Sequence, residues 1–530
     1  MDCSFTKLSY KETGYFSPLI TDYLEGAGAL EPFYKHPVSP EGIQAAIEHR
    51  KQSPLNRNVL VEHLNEQYTG VRVAAAVSAN ISALGNDNVF TVTTAHQPAL
   101  FTGTLYFVYK IFHAIKLAEE LNKQIPSSRF VPVYWMGSED ADLDELGKFY
   151  LGNEKIVWDT KQTGAVGKMK TKGIDLLIHR INGELSVLPY GKELIALLSE
   201  SYLSAPDIQT ATFRLLNTLF GEYGLVVLIP DTAILKKEMT AVFEEDLFQQ
   251  TPSKLVSATI EKLSSGYKVQ ANPREINLFY LKDDKRERIV RNGDLFSMQP
   301  GVDFTESQIR EELTKHPERF SPNVILRGLY QETILPNIAF IGGGGETAYW
   351  LELRDLFDHY KVSFPVLVLR NSFLLVEKKW QDKIAHMGFT VNDFFRSEQQ
   401  LLTDLVGRHK NGELKLAHEM DEAIRLYSQL RSKAAGIDKS LQQHVDALQA
   451  RALKPLQELE KKLLRAEKRK YESEQRQIHT IKAALFPKDG LQERIDNFMP
   501  WYAKWGKDFL ATIYTHSLTL EQEFAVLTEK

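Results

Sequence analysis

The sequence predicts an α/β protein built on a parallel sheet, interrupted by two insertions and followed by a long helical arm. Three observations carry that reading. Short β-branched apolar runs end in turn or polar residues and are followed by helical patterns, as in repeated βαβ units. Two intervening stretches break this rhythm with closely spaced turns. Beyond residue 389, apolar residues recur at spacings of three and four among many charges, which is the seam of a coiled coil.

In chain order, the runs at 89–94, 130–135, 225–230, 337–341 and 365–369 read as the strands. The third follows the second only at a distance. Residues 151–205 carry Gly, Lys and Thr in short alternating pieces and then a helix-like YGKELIALLSESYL, an inserted subdomain rather than a crossover. Residues 266–300 form the second insertion, where YKVQA, NLFYLKD and RERIVRNGDLF alternate around turns at Asn272-Pro273, Asp283-Asp284 and Asn292-Gly293, as in a small antiparallel sheet. The core thus spans 1–388 with these two interruptions.

From 389 to 490 the chain reads as a helical coiled-coil arm. Its seam runs through Ala423, Tyr427, Leu430, Ala434, Ile437, Leu441, Val445, Leu448, Ala452, Leu456, Leu459 and Leu463. Gly436 and Pro455 interrupt it, so a bent or two-segment arm is expected. An apolar stripe of that length needs a partner helix, expected both from residues 471–485 folding back and from the arm of a second copy in a homodimer. Residues 491–530, rich in Trp, Tyr and Phe, are expected to be a helical segment packing back on the body.

A chain of 530 residues, 43% hydrophobic and 25% charged, can bury a large core. Its net charge of −5 and pI near 6.3 argue against nucleic acid or an anionic membrane as the main partner. The nine Lys/Arg against five Asp/Glu at 454–482 fit the solvated face of a coiled coil. Cys3 is the single cysteine, which excludes an internal disulfide and fits the reducing cytoplasm. No basic-then-apolar leader opens the sequence and no apolar run reaches about 18 residues, so neither export nor membrane insertion is expected.

The candidate chemistry collects at strand ends, where open α/β sheets bind ligands. TVTTAHQPALFTG ends the first strand: Thr94, Gln97, Thr102, Gly103 and Thr104 offer donors to a phosphate or carboxylate at the start of the next helix. His96 sits where a charge-stabilising donor or general acid is useful. In VPVYWMGSEDADLDEL, Asp142, Asp144 and Glu145 suit a helix start. Glu139 and Asp140 precede it and are the better candidates to hold an ammonium or Mg2+, or to act as a base. NIAFIGGGGETAYWLEL places Gly342, Gly343, Gly344 and Gly345 between a strand and a helix, with Glu346 at the helix start and Tyr349 one turn on. Asp231 closes the third strand and Arg370, Asn371 and Ser372 the last. FSPNVILRGLYQETILP adds Asn323, Arg327 and Gln331. KMKTK at 168–172 reads as a surface turn.

TAHQPALFTGTLYFVYKI, FVPVYWMGSEDADLDEL, NLFYL and RFSPNVILRGLYQETILPNIAFIGGGGETAYWLEL, followed by the coiled coil, resemble the cysteine-adding enzymes of bacillithiol biosynthesis, the BshC family. The blocks span nearly the whole chain in the family's order. The resemblance implies a Rossmann-like core with two connecting insertions and a coiled-coil domain that mediates dimerisation. It also implies a ligase that joins the carboxyl of cysteine to the amine of glucosaminyl malate. A free carboxylate is a poor electrophile, so ATP or another adenine nucleotide is expected as the activator. The residues leave open an adenylate, an acyl phosphate or a pre-activated donor. They also leave open two other functions: a non-catalytic nucleotide-binding scaffold, and a nucleotidyltransferase or synthetase-like enzyme with another substrate.

Overall fold

A computed structural model describes residues 2–152, 154–298, 301–409 and 416–530. The chain divides into two compact units, Met1–Leu374 with Leu491–Leu527, and Leu375–Gly490 with Thr528–Lys530.

The centre of the first unit is a five-stranded sheet. Its strands are β1 (Val89–His96), β2 (Arg129–Met136), β3 (Val226–Leu228), β4 (Asn337–Gly342) and β5 (Val366–Leu369), and they lie in the order β5-β4-β1-β2-β3. Every neighbouring pair is parallel; Val89 lies opposite Arg129 and His96 opposite Met136. All five expected strands are present. Because β2 and β3 extend to one side of β1 while β4 and β5 extend to the other, the topological switch falls between β1 and β4.

The strands are almost continuously buried, as a sheet covered on both faces requires. Helices α1 (Pro40–Lys51) and α2 (Tyr106–Gln124) supply Ile43, Ala46, Ile47, Ala114, Leu117, Ala118 and Leu121 to a core shared with Phe90, Val92, Phe130, Ile341 and Val368. By the two-residue alternation of a strand, Trp135 lies on the face opposite Phe130. There it meets Tyr330 of α3 (Val324–Ile334) edge-on at 5.1 Å. Helix α4 (Gly344–Leu351) follows β4 directly.

Within 151–205, the strand Glu154–Val157 pairs antiparallel with Lys148–Leu151 and is followed by helices Ile174–Leu185 and Gly191–Tyr202. The alternating stretch at 266–300 forms parts of two small antiparallel sheets rather than one. Leu278–Lys282 pairs with Lys285–Arg288 and with Phe320–Pro322; Val290–Asn292, Leu295–Met298 and Val302–Thr305 form the other. Residues 299–300 lie outside the described residues, as does 153. The segment after 491 is helical over Met499–Trp505 and Lys507–His516, but Glu523–Glu529 is a strand in the same sheet as Cys3–Ser9. The short continuous buried run FAVLT, too short for a helix, accounts for that departure from an all-helical end.

The second unit contains α5 (Glu398–His409), α6 (Ala417–Ile437), α7 (Leu441–Lys468) and α8 (Glu472–Leu485). The seam folds on itself. Asp438 ends α6 in an extended conformation and its carboxylate accepts the Ser440 N–H at 2.8 Å, turning the chain so that α6 and α7 pack together. Arg431 and Asp446 pair across the turn at 2.9 Å. The expected fold-back partner was 471–485; instead α8 packs on α5, whose Leu401, Leu405 and Val406 are buried, as are Ile478 and Ile481 of α8. Helix α7 also continues through Pro455, where only one backbone hydrogen bond is forgone.

Candidate active site at the switch point

The end of β1 is held in a defined shape. Tyr134 of β2 donates to the His96 carbonyl at 2.8 Å, and the Gly137 N–H donates to the same oxygen at 2.9 Å. Beyond Gln97, Phe101, Thr102 and Gly103 have φ of 49°, 66° and 64°, a run of left-handed backbone that needs outside support. Asn497 supplies it by donating to the carbonyls of Phe101 (2.9 Å) and Gly103 (2.5 Å), while the Leu105 N–H donates to the Asp496 carbonyl at 2.7 Å. Helix α2 then begins at Tyr106.

His96 is neutral. Burial, reinforced by the Lys110 ammonium, pushes its imidazole down to about 4. The Gln97 carbonyl, 2.9 Å from Nδ1, can only accept, so the ring proton resides on Nδ1 and Nε2 accepts from the Tyr106 hydroxyl at 3.1 Å. The sequence expectation was a charge-stabilising donor or general acid, and the neutral ring offers its Nδ1–H to the Gln97 carbonyl. Its single N–H is already donated, and its open lone pair faces Tyr106.

Lys110, one turn into α2, is the main cation beside it. Its Nζ donates to the Ala95 carbonyl at 2.5 Å and to Glu346 Oε2 at 2.6 Å, bridging the ends of β1 and β4 across the switch point. Glu346 also accepts the Gly343 N–H at 2.8 Å, which closes the start of α4. Burial disfavours charge on Glu346, but Lys110 and the Gly343 N–H together hold its carboxyl below the ordinary range. The lysine is legible in hindsight as a cation within the apolar stretch YFVYKIF.

A second cluster lies at the ends of β2 and β3. Asp140 Oδ2 accepts from Gln97 Nε2 at 2.9 Å and lies 4.0 Å from Arg327 Nη1. Burial works against its charge, but Gln97, Arg327 and Arg286 outweigh it and keep the carboxyl below its usual value. Arg327 is also paired with the Tyr349 hydroxyl and feels Glu346, so it links the two clusters. Glu139 forms an ion pair with Lys236, whose side chain is fully buried and also donates to the Glu318 carbonyl at 3.0 Å. Asp231 meets Lys168 Nζ at 3.1 Å.

Lys168 lies on a surface turn, as expected, with its side chain 46% exposed, but that turn is tied to the sheet. The Val166 N–H donates to the Asp140 carbonyl (2.8 Å) and the Gly167 N–H to the Ser138 carbonyl (3.1 Å), so the turn is sewn onto the end of β2. A Cβ at Gly167 would sit 2.5 Å from the Ser138 oxygen, so only glycine permits this approach. The second insertion contributes Arg286, whose guanidinium lies 3.9 Å from the Phe279 ring and donates to Ser321 Oγ at 3.2 Å. With Gly137, Ser138, Glu139, Asp140 and Arg327 it lines one cavity.

The other candidates divide by what their polar atoms touch. Thr94 donates to the Ile341 carbonyl at 2.9 Å and is wholly buried between β1 and β4; Thr102 is also buried. Thr104 borders Tyr106. Gly342, tight against the Phe340 ring, ends β4, and the half-exposed to exposed Gly343, Gly344 and Gly345 start α4 at the crevice. Asn323 caps α3 through the Ile325 N–H at 2.8 Å. Gln331 faces inward to Glu332 at 2.8 Å, a turn away from Arg327. Arg370 is buried in an ion pair with Glu493 (2.8 Å) that Ser372 joins, with its guanidinium 4.7 Å from the Tyr106 ring. It thus supports Tyr106 from behind. Asn371 donates to the Leu518 carbonyl and to His113. Sequence reasoning passed over Tyr106, Lys110, Lys236, Arg286 and Glu493.

Among the described residues, no group of three or more His, Cys, Asp or Glu side chains is placed to hold a metal ion. Among the same residues, no helix is long and apolar enough to cross a membrane.

Two family models match in tandem: "Bacillithiol biosynthesis BshC, N-terminal Rossmann-like domain" over residues 1–371, and "Bacillithiol biosynthesis BshC, C-terminal coiled-coil domain" over residues 373–529. Proteins of Flavobacterium psychrophilum and Flavobacterium johnsoniae are each 38% identical over 524 residues, covering 98% of this chain and 98% and 99% of theirs. One of Cytophaga hutchinsonii is 39% identical over 493 residues, covering 93% of this chain and 92% of its own. All three carry the name "Putative cysteine ligase BshC".

Proposed function

The chain belongs to the BshC family of bacillithiol biosynthesis, and from that premise we propose that it is a ligase joining the carboxyl of cysteine to the amine of glucosaminyl malate. The observation that carries the reading is the extent of the likeness. An identity of 38% over 524 residues includes both sides of the switch point and both insertions that reach it, not the sheet alone.

The crevice suits the chemistry. A carboxylate must be activated before an amine attacks it, and an adenine nucleotide supplies the leaving group when bound. The backbone of Gly344 and Gly345 at the start of α4 and the Arg327 and Arg286 guanidiniums are the groups that would hold its phosphates. Asp140 and Glu139 are the carboxylates for a substrate ammonium. As the attacking amine loses its proton, Tyr106 receives it while passing its own hydroxyl proton to His96 Nε2, so the pair acts on the base side of the reaction. Water exclusion comes from the insertions, whose Lys168 and Arg286 stand over the strand ends.

The second unit supports a homodimer. Ile424, Leu426, Leu430, Ile437, Leu441, Leu448, Leu459 and Leu463 remain exposed on the α6–α7 hairpin, an apolar surface that a second copy would cover. The assay for the reaction is direct: the purified protein is incubated with cysteine, glucosaminyl malate and ATP, and the products are read by mass spectrometry. A thiol of the mass of the amide is expected together with AMP or ADP, which also identifies the leaving group. Failure to form the amide from all three substrates overturns the reading.

A further inference from the structure

Arg50, in the last turn of α1, is only 3% exposed, yet its side chain makes no hydrogen bond or ion pair with any described residue, and Nη2 is buried without a partner. Burying an uncompensated guanidinium is costly, so the position calls for a ligand. Glu332, also wholly buried, acts on it only at longer range and has its own unpartnered Oε2. Burial is the chief cause that brings the guanidinium down to about 10, and the nearby Arg57 adds to the effect.

Both arginines line one cavity of about 460 Å³, together with Lys51, Ser53, Pro54, Leu55 and Asp87. That is the size of a small-ligand site. Arg57 is held in place by donating to the Leu84 carbonyl (2.9 Å) and the Asp87 carbonyl (3.3 Å); its side chain is 12% exposed. The Asp87 carboxylate, 3.7 Å away, is fully exposed, and Lys51 pairs with Glu48 at the rim. Two arginines and a lysine therefore border the cavity against one lining acidic residue, Asp87, whose carboxylate is turned to solvent.

The cavity is remote from the crevice. Asn88 and Phe90 at its wall stand at the start of β1, whereas His96 stands at the carboxyl end, roughly 20 Å along the strand.

We propose that this cavity is a second binding site, for a small phosphate-bearing molecule whose phosphoryl oxygens seat between Arg50 and Arg57. Guanidinium forks match phosphate bidentately, and a phosphate offers enough acceptors to satisfy two of them at once. Pro54 and Leu55 give an apolar wall for a short organic part.

The test uses the full chain and inorganic phosphate, titrated by calorimetry at constant ionic strength against chloride. Saturable binding is expected. Its Kd rises by about tenfold or more in Arg50→Gln and in Arg57→Gln, in line with the loss of a bidentate contact, and changes little in Arg327→Gln, which probes the crevice. Arg57→Gln leaves the core helix intact, so the test stands even where Arg50→Gln fails to fold. The proposal is overturned if the wild type shows no saturable binding, which leaves a cavity filled by water only. It is equally overturned if binding survives in Arg57→Gln and disappears in Arg327→Gln, which places the anion in the crevice.

Discussion

His96 and its neighbours are separable by substitution. Replacing His96 with Ala removes an acceptor for Tyr106 but little core volume, so product formation should fall by about a hundredfold or more while circular dichroism and melting stay near wild type. Near-normal turnover in a folded His96→Ala protein would return the histidine to a turn-shaping role. The carboxylates should differ. Asp140→Asn keeps an acceptor for Gln97 and should lower turnover with little change in urea stability. Glu139→Gln also leaves the fully buried Lys236 ammonium without its counter-charge, a loss of about 3 kcal/mol. Asp144, in the first turn of Leu143–Leu146, should cost at most about 0.5 kcal/mol as Asn and leave turnover alone. Equal losses of activity in all three would refute this division. Lys110→Met should be as disruptive as Glu139→Gln, because Glu346 would lose its ion-pair partner and keep the Gly343 N–H as hydrogen-bond donor; unfolding in urea should shift by about 3 kcal/mol.

At the scale of elements, the α6–α7 hairpin half-buries part of its apolar seam and leaves the rest as a stripe in contact with solvent. Leu448 and Leu459 are 37% and 45% exposed even with their partner helix in place. Replacing Leu448, Leu456 and Leu459 with lysine should therefore leave the hairpin and the sheet folded while sedimentation shows monomers. A variant that still sediments as a dimer would locate the interface elsewhere. The periodicity identified these positions correctly as a seam. It did not reveal that Asp438 and Ser440 reverse the chain midway, because a spacing of four across Ile437 and Leu441 reads the same in a continuous helix as in a hairpin.

Across the whole molecule, buried carboxyls set a pH dependence. Burial pushes Asp246, Glu332, Glu352 and Asp496 each up to about 7. Their folded values exceed the unfolded ones, near 4, so the folded state binds more protons and stability declines as pH rises from about 4 through 7. His36, His96 and His113 run the other way: burial lowers each to about 4, so their contribution is lost as pH falls from about 6.5 toward 4. Glu352→Gln isolates one carboxyl, since the amide oxygen can still accept the Gln270 and Ala271 N–H groups. Relative to wild type, its melting temperature should fall less between pH 6 and 8; an unchanged slope would mean that Glu352 ionises at an ordinary pH.

The sequence by itself determined the five strands, the two insertions, the coiled coil and the loops that flank the switch point, because strand length, turn residues and helical spacing are local properties of the chain. It also placed His96, Asp140, Arg327 and the glycine run at one crevice, since a parallel sheet brings the carboxyl ends of its strands together. Only the tertiary structure decided which charges meet there. Lys110 finds Glu346 and Lys236 finds Glu139 across 236 and 97 residues of chain. The same packing turned Asn323, Gln331 and Asn371 to structural bonds and set the exposed Lys168 against the buried Asp231. Such pairings depend on strand order and on how distant segments pack over the sheet, and no spacing along the sequence encodes them.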